Sequence, residues 1–219
     1  EIAQVLLVIM PDPATRQIAV ENLRYLGCEV VAPEVPGDPG QAALEALGRR
    51  AYNVVLMDCM MPGMDGYEVC RKIKSNPAIA YLPVVMLTSL GSKEDKLRGL
   101  EAGAEDFLTK PFCEGELLEK VNGAIAHYRS ARKQLLQRQK VRKRFESCTP
   151  RERDVMKLLA DGLPNKGIAE ALGISPRTVE IHRAHVMEKM AADSLPTLVR
   201  MVGMLDSGPA VKSQPTVSD

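Results

Sequence analysis

The feature that most constrains the fold is an alternation of apolar runs and helix-like segments over residues 1–126. Five short runs are almost continuously apolar, as expected of strands that are buried on both faces. Helical segments between such strands supply the crossovers of a parallel sheet. The pattern therefore predicts an α/β fold, a doubly wound five-stranded parallel sheet, with strands at residues 5–9, 30–32, 54–57, 84–87 and 106–108.

Three reactive side chains lie at the ends of these predicted strands. Asp58 follows the third run, Thr88 ends the fourth, and Lys110 follows the fifth. The carboxyl ends of parallel strands meet at one edge of the sheet, where α/β folds bind their ligands. A carboxylate, a hydroxyl and an ammonium suit an acyl-phosphate site, as nucleophile, hydrogen-bond donor and cation for the phosphoryl oxygens.

The residues around these three positions resemble the receiver domain of bacterial response regulators. The resemblance lies in the motifs D-x-x-M-P-x-x-D-G from Asp58, T-S at Thr88 and K-P-F at Lys110. It implies that Asp58 accepts a phosphoryl group from a sensor histidine kinase and that Lys110 binds that group. It also implies that Thr88 and Phe107 rearrange as a switch.

The same resemblance implies a Mg²⁺ ion, which receivers hold with two adjacent acidic residues after the first strand. Aligned on the Asp12-Pro13 step, those positions are occupied by Met10 and Pro11. Neither residue has a hard oxygen ligand of the kind Mg²⁺ requires, so only Asp58 and Asp12 remain as carboxylate candidates. Two hypotheses stay open, namely phosphorylation of Asp58 and control of an atypical receiver by another signal or partner.

Charge is distributed unevenly along the chain and indicates separate domains. Residues 1–126 carry 12 Lys/Arg and 18 Asp/Glu, whereas residues 127–145 carry eight Lys/Arg and no acid. We predict a receiver at 1–126, a basic helical linker at 127–146, a second domain at 147–206 and a disordered tail at 207–219. A helix is also predicted from Glu114 to Arg144, and its apolar seam fits either a coiled coil between two copies or packing on its own receiver: Leu118, Val121, Ile125, Tyr128 and Leu135.

Residues 147–205 form a helical pattern that contains a helix-turn-helix. Thr149 to Glu152 is a capping box, Asn165 is a candidate cap for a short helix, and Ser175-Pro176 starts the next one. The segments T-P-R-E-R, L-P-N-K-G-I-A and I-S-P-R-T-V-E-I-H resemble the LuxR-type domain of FixJ/NarL response regulators. The resemblance implies a DNA-binding transcription regulator that acts as a homodimer on a palindromic operator.

The helix from Pro176 is the predicted recognition helix, and its exposed positions divide into two groups. Four residues are expected to face base edges: Glu180, Ile181, Ala184 and His185. Six are expected to contact phosphates: Lys166, Arg177, Thr178, His182, Arg183 and Lys189. Leu135 in the linker and four residues of the last helix are expected to support dimerisation: Leu198, Met201, Val202 and Leu205.

Other classes of protein are less compatible with the sequence. There is no P-loop, G-x-S-x-G or zinc motif, so we expect no enzyme. Five unpaired cysteines and the lack of a membrane-spanning or secretory pattern favour a cytoplasmic location. A phosphate sink or adaptor that never binds DNA is the alternative class, and the recognition helix argues against it.

Overall fold

The computed structural model describes residues 4–33, 37–89 and 93–206. The chain divides into two compact units, Glu1–Arg132 and Lys133–Asp219, and the division falls within the predicted basic linker. The predicted disordered tail, residues 207–219, lies outside the described residues.

The first unit is built on a five-stranded sheet in which all neighbours are parallel. The strand order is β2-β1-β3-β4-β5. The prediction of a five-stranded parallel sheet is confirmed. β1 is apolar at every position, and β3 and β4 are apolar up to their last residues, Asp58 and Thr88, so these strands require cover on both faces. The strands are β1 (Val5–Ile9), β2 (Glu29–Val31), β3 (Val54–Asp58), β4 (Val84–Thr88) and β5 (Asp106–Thr109).

Aspartate caps fix where the first three helices begin. Asp12, Asp38 and Asp65 each accept a hydrogen bond from the backbone N–H three residues later. Asp38 is thus the cap of the second helix, and Pro39 is its first helical residue. The helices of this unit are α1 (Pro13–Tyr25), α2 (Pro39–Arg49), α3 (Gly66–Ser75), α4 (Lys93–Glu101) and the start of α5 (Glu114–Glu146).

The long helix α5 contributes residues to two different cores. Val121, Ile125 and Tyr128 are buried in the first unit, so these seam residues pack on their own receiver fold. Three of the five seam residues therefore pack on their own unit, and pairing of this helix with a second copy stays a prediction. Leu135 is half-buried. Farther along, Val141 is fully buried in the core of the second unit.

The second unit is all-helical and follows the predicted caps with one exception. Thr149 and Glu152 form the predicted capping box, and Ser175 caps the recognition helix. Asn165 is not a cap, because Pro164 occupies that position and makes no side-chain bond to the helix. The helices are α6 (Pro150–Ala160), α7 (Asn165–Leu172), α8 (Pro176–Met190) and α9 (Leu195–Asp206). Across the described part of the chain, no helix combines the length and apolarity needed to cross a membrane.

Candidate functional site

The first candidate site lies at the carboxyl ends of β3, β4 and β5. Asp58 is the last residue of β3 and Thr88 the last of β4, and both are buried. Lys110 follows β5 directly, and its backbone N–H donates to the Thr88 carbonyl at 2.8 Å. The parallel register therefore places the three predicted residues at one edge of the sheet.

Asp58 is held by direct contacts on both carboxylate oxygens. The Lys110 Nζ atom lies 2.5 Å from Oδ2, and the Met60 backbone N–H donates to Oδ1 at 3.2 Å. Only 6% of the Asp58 side chain and 22% of the Lys110 side chain are exposed. A buried carboxylate requires a partner charge and hydrogen bonds, and the Lys110 ammonium supplies both. The charge of Asp58 is thus balanced by a side chain of the same unit.

The residues beside Asp58 do not fit a Mg²⁺ site. Met10 is 3% exposed and its side chain packs in the core beneath α1, while Pro11 has no side-chain donor. Asp12 is engaged by Thr15, whose backbone N–H and hydroxyl donate to its Oδ2 at 2.7 and 2.5 Å. No cluster of three or more acidic, His or Cys side chains suited to a metal occurs in residues 4–33, 37–89 and 93–206. Asp12 is thus engaged in capping and Asp58 is paired with Lys110, so both carboxylates already have partners within the chain.

The hydrogen bonds of Asp12 also show that its carboxylate stabilises the N-terminus of α1. The hydroxyl of Thr15 and then its backbone N–H lower the pKa of the Asp12 carboxyl below its usual value. Asp12 is exposed at the N-terminus of α1, where a negative charge interacts favourably with the helix dipole. Its observed role is therefore helix capping.

The predicted switch residue Phe107 is half-buried in β5 and packs against the first core. A Cβ atom at Gly99 of α4 would lie 2.3 Å from the Phe107 ring. The ring thus occupies space left by the missing side chain of Gly99. Phe107 and Thr88 lie on neighbouring strands, β5 and β4.

The second candidate site is the exposed face of α8. Arg177, Glu180, Ile181 and Ala184 line one shallow depression on this helix. Ile181 is 50% exposed although it is a large apolar residue. The structure therefore brings together three of the four predicted base-facing residues with the predicted phosphate contact Arg177.

Lys189 was predicted to contact phosphate, and the structure corrects this. Its Nζ atom lies 2.6 Å from Oε2 of Glu152, a residue of α6 that is 3% exposed. His185, predicted to face bases, is half-exposed and its Nδ1 atom lies 3.6 Å from the same carboxylate. The charge of Lys189 is consequently balanced inside the unit, and this residue joins α8 to α6.

Glu152 is a structural anchor that sequence analysis identified only as part of a capping box. Burial disfavours the charged carboxylate, but hydrogen bonds from Lys189 and from the Thr149 backbone outweigh it and lower the Glu152 pKa to about 2. The Thr149 N–H donates to Oε2 at 2.8 Å. A local motif reveals the capping bonds, whereas the contact with a lysine 37 residues away depends on tertiary packing.

The other residues that were predicted to contact phosphate differ in the exposure of their side chains and in the hydrogen bonds that these side chains already make. Lys166 is exposed on α7. Arg183 is half-buried and donates to Asn165 Oδ1 at 3.2 Å, which gives Asn165 a role in joining α7 to α8. The His182 Nδ1 atom is buried and has no hydrogen-bond partner in the described part of the chain. The Thr178 hydroxyl bonds locally with Ser175.

The predicted dimer face of α9 is only partly available. Leu198 and Met201 are buried in the core of their own unit, which corrects their assignment as contacts with a second copy. Val202 and Leu205 are half-buried against the same core. Val199, which the prediction omitted, is 40% exposed. Of these apolar residues of α9, Val199 is therefore the one that is exposed, whereas Val202 and Leu205 are exposed only in part.

Both units match known protein families. Residues 6–122 match the response regulator receiver domain, and residues 146–202 match the bacterial regulatory proteins of the luxR family.

The chain is also similar to whole proteins of this architecture. It is 40% identical to the transcriptional regulatory protein FixJ of Bradyrhizobium diazoefficiens over 172 residues, covering 77% of this chain and 83% of FixJ. It is 33% identical to nodulation protein W of the same organism, covering 90% of this chain and 84% of that protein. The structure of the response regulator StyR covers 92% of this chain and 98% of its own, with a TM-score of 0.74 and 32% identity.

Proposed function

The chain belongs to the response regulators in which a receiver precedes a LuxR-type DNA-binding domain, and we propose that its receiver controls transcription without metal-assisted phosphorylation of Asp58. A DNA-binding transcriptional regulator is the function common to this architecture and to the similar FixJ proteins. The proposal concerns how the receiver is controlled.

The observation that carries the proposal is the ion pair between Asp58 and Lys110. Opposite charges 2.5 Å apart in a largely buried setting stabilise one another, so Asp58 is satisfied without a cation from solution. Met10 and Pro11 occupy the positions of the acidic pair and supply no carboxylate oxygen. The receiver is then controlled by another signal or by a partner protein that binds it.

A second candidate is phosphorylation of Asp58 by a sensor histidine kinase. It is favoured by the meeting of Asp58, Thr88 and Lys110 at one sheet edge. In this version the carboxylate is the nucleophile and the Lys110 ammonium moves from Asp58 to the incoming phosphoryl oxygens.

Intact-mass measurement separates the two candidates. The full chain is incubated with acetyl phosphate and Mg²⁺, with Asp58→Asn as the control. The proposal expects no mass increase of one phosphoryl group in the wild type. A phosphoryl adduct that Asp58→Asn abolishes would overturn it in favour of the kinase-controlled candidate.

We further propose that the protein binds a palindromic operator as a homodimer, with α8 in the major groove. Support comes from the exposed face of Arg177, Glu180, Ile181 and Ala184, whose side chains suit a phosphate and base edges. Selection of bound genomic fragments followed by footprinting would test this. Two protected half-sites about one helical turn apart are expected, and a single unrepeated site would contradict the dimer.

A further inference from the structure

The basic part of α5 forms a cationic surface that neither candidate site uses. Residues 127–145 contain eight Lys/Arg and no acid, and all of them lie within the continuous helix Glu114–Glu146. Six of the eight cations belong to the second unit, and three of these recur along one side of the helix: Lys133, Lys140 and Lys143. They are called the lysine stripe below.

The lysine stripe lies on the solvent side of α5. At 3.6 residues per turn, its three residues fall within about 80° around the helix axis and extend over about 15 Å. All three are exposed. The other side of the same segment is apolar, because Val141 is fully buried and Phe145 packs against the core of the second unit.

The end of α5 is attached to the recognition helix. Arg144 Nη1 donates to the carbonyl of Met190, the last residue of α8, at 3.1 Å. Arg153 of α6 donates to the carbonyls of Phe145 and Glu146 at 3.3 and 3.0 Å. These bonds and the burial of Val141 make the stripe part of the DNA-binding unit, so it is carried to DNA together with α8.

The stripe residues also lack counter-charges. In the described part of the chain, Lys133, Lys140 and Lys143 form no ion pair, whereas the neighbouring Arg142 pairs with Glu146 at 3.3 Å. Like charges one or two turns apart on a helix repel each other. A duplex presents one phosphate charge per strand about every 3.4 Å, which matches an array of cations about 15 Å long.

From this geometry and charge we propose that the lysine stripe of α5 is a second DNA-contacting surface, which binds backbone phosphates and carries no sequence information. The inference rests on the function of a DNA-binding regulator. It adds contacts beyond the helix-turn-helix and makes nonspecific binding more sensitive to salt. The alternative partner of the lysine stripe is the acidic first part of the chain, since residues 1–126 carry 18 acids against 12 bases and could bind the lysines in place of DNA.

The test measures binding of the full chain to a labelled random-sequence duplex of about 30 base pairs by fluorescence anisotropy at several salt concentrations. The variant Lys133→Gln/Lys140→Gln/Lys143→Gln removes the stripe. The control Arg24→Gln/Arg49→Gln/Arg71→Gln removes three exposed charges from the first unit. The charge-retaining variant with three Lys→Arg changes tests whether charge is the cause, and circular dichroism checks folding.

About 0.9 counterions are released per phosphate contact, and log K falls as log salt rises. Loss of the three contacts of the stripe should therefore make this negative slope shallower by about 2.7. If the variants converge near 1 M salt, affinity falls roughly a hundredfold at about 0.15 M. The control and the Lys→Arg variant are expected to bind as the wild type does.

Three outcomes overturn the proposal. An unchanged slope in a folded stripe variant shows that the lysines do not contact phosphates. Tighter binding by that variant assigns them to the acidic first unit. If the wild type binds no duplex at all, the proposed DNA-binding function is refuted together with the stripe. This result differs from an unchanged slope in the variant, which refutes only the contact between the stripe and phosphates.

Discussion

Removal of the Glu152 carboxylate tests how the recognition helix is held in place. In Glu152→Ala the buried partner of Lys189 is lost together with the capping bond that the Glu152 side chain accepts from the Thr149 N–H. Breaking a buried ion pair costs about 3–5 kcal/mol, and the lower part of that range is expected because Lys189 is 35% exposed and can reach water. Loss of this one capping bond adds about 1 kcal/mol.

A loss of about 4 kcal/mol corresponds to a fall of at least about 16 °C in the Tm of a unit of this size. Scanning calorimetry of the full chain, followed through the transition of the second unit, measures it. Glu170→Ala is the matched control, since Glu170 is an exposed glutamate on α7 and its replacement should change stability by less than about 0.5 kcal/mol. A Tm for Glu152→Ala within about 4 °C of the wild type would refute the anchoring role.

The same residue predicts a pH dependence with a defined sign. The Glu152 pKa is lowered from 4.5 to about 2 in the folded protein. The unfolded chain therefore takes up the proton first as pH falls, and the stabilisation is complete above pH 4.5 and disappears towards pH 2. The difference in stability between wild type and Glu152→Ala should be constant above that range and shrink below it. A difference that grows on acidification would contradict the depressed pKa.

Three further predictions concern DNA, dimerisation and the receiver. Glu180→Ala should cost about 1–3 kcal/mol on the preferred operator and little on random DNA, whereas Arg177→Ala should weaken both and lower the salt slope by about one unit; equal losses by both variants on all DNA would contradict the orientation of α8. Val202→Asp should weaken binding to a palindrome, as seen by gel shift, while one half-site is bound as before. Met10→Asp/Pro11→Asp should create Mg²⁺ binding that calorimetry detects, and unchanged affinity would show that other groups exclude the ion.

The sequence was sufficient to predict the sheet and the edge where its reactive residues meet. Continuous apolar runs require cover on both faces, and parallel strands then bring Asp58, Thr88 and Lys110 to one edge. The apolar spacing on α5 could not show whether its residues pack against a second copy or against the core of their own chain. Only the structure shows that Val121 and Ile125 pack in that core.

The errors in the DNA-binding unit have a common physical origin. A lysine on an exposed turn of a helix looks available for phosphate, and only tertiary packing brought Lys189 to the buried Glu152. Likewise, the apolar face of α9 gives no indication of its partner, and Leu198 and Met201 pack inward. Local signals predicted the caps Thr149 and Ser175 because capping bonds span only three residues.

The most direct test of the proposed control is a calorimetric titration of Mg²⁺ into the full chain, with Met10→Asp/Pro11→Asp as the comparison. The pair of Asp58 with Lys110 and the absence of carboxylates at residues 10 and 11 predict no saturable binding in the wild type up to about 1 mM, because Mg²⁺ needs several oxygen ligands in near-octahedral geometry. Saturable wild-type binding below that concentration, lost in Asp58→Asn, would contradict the proposal.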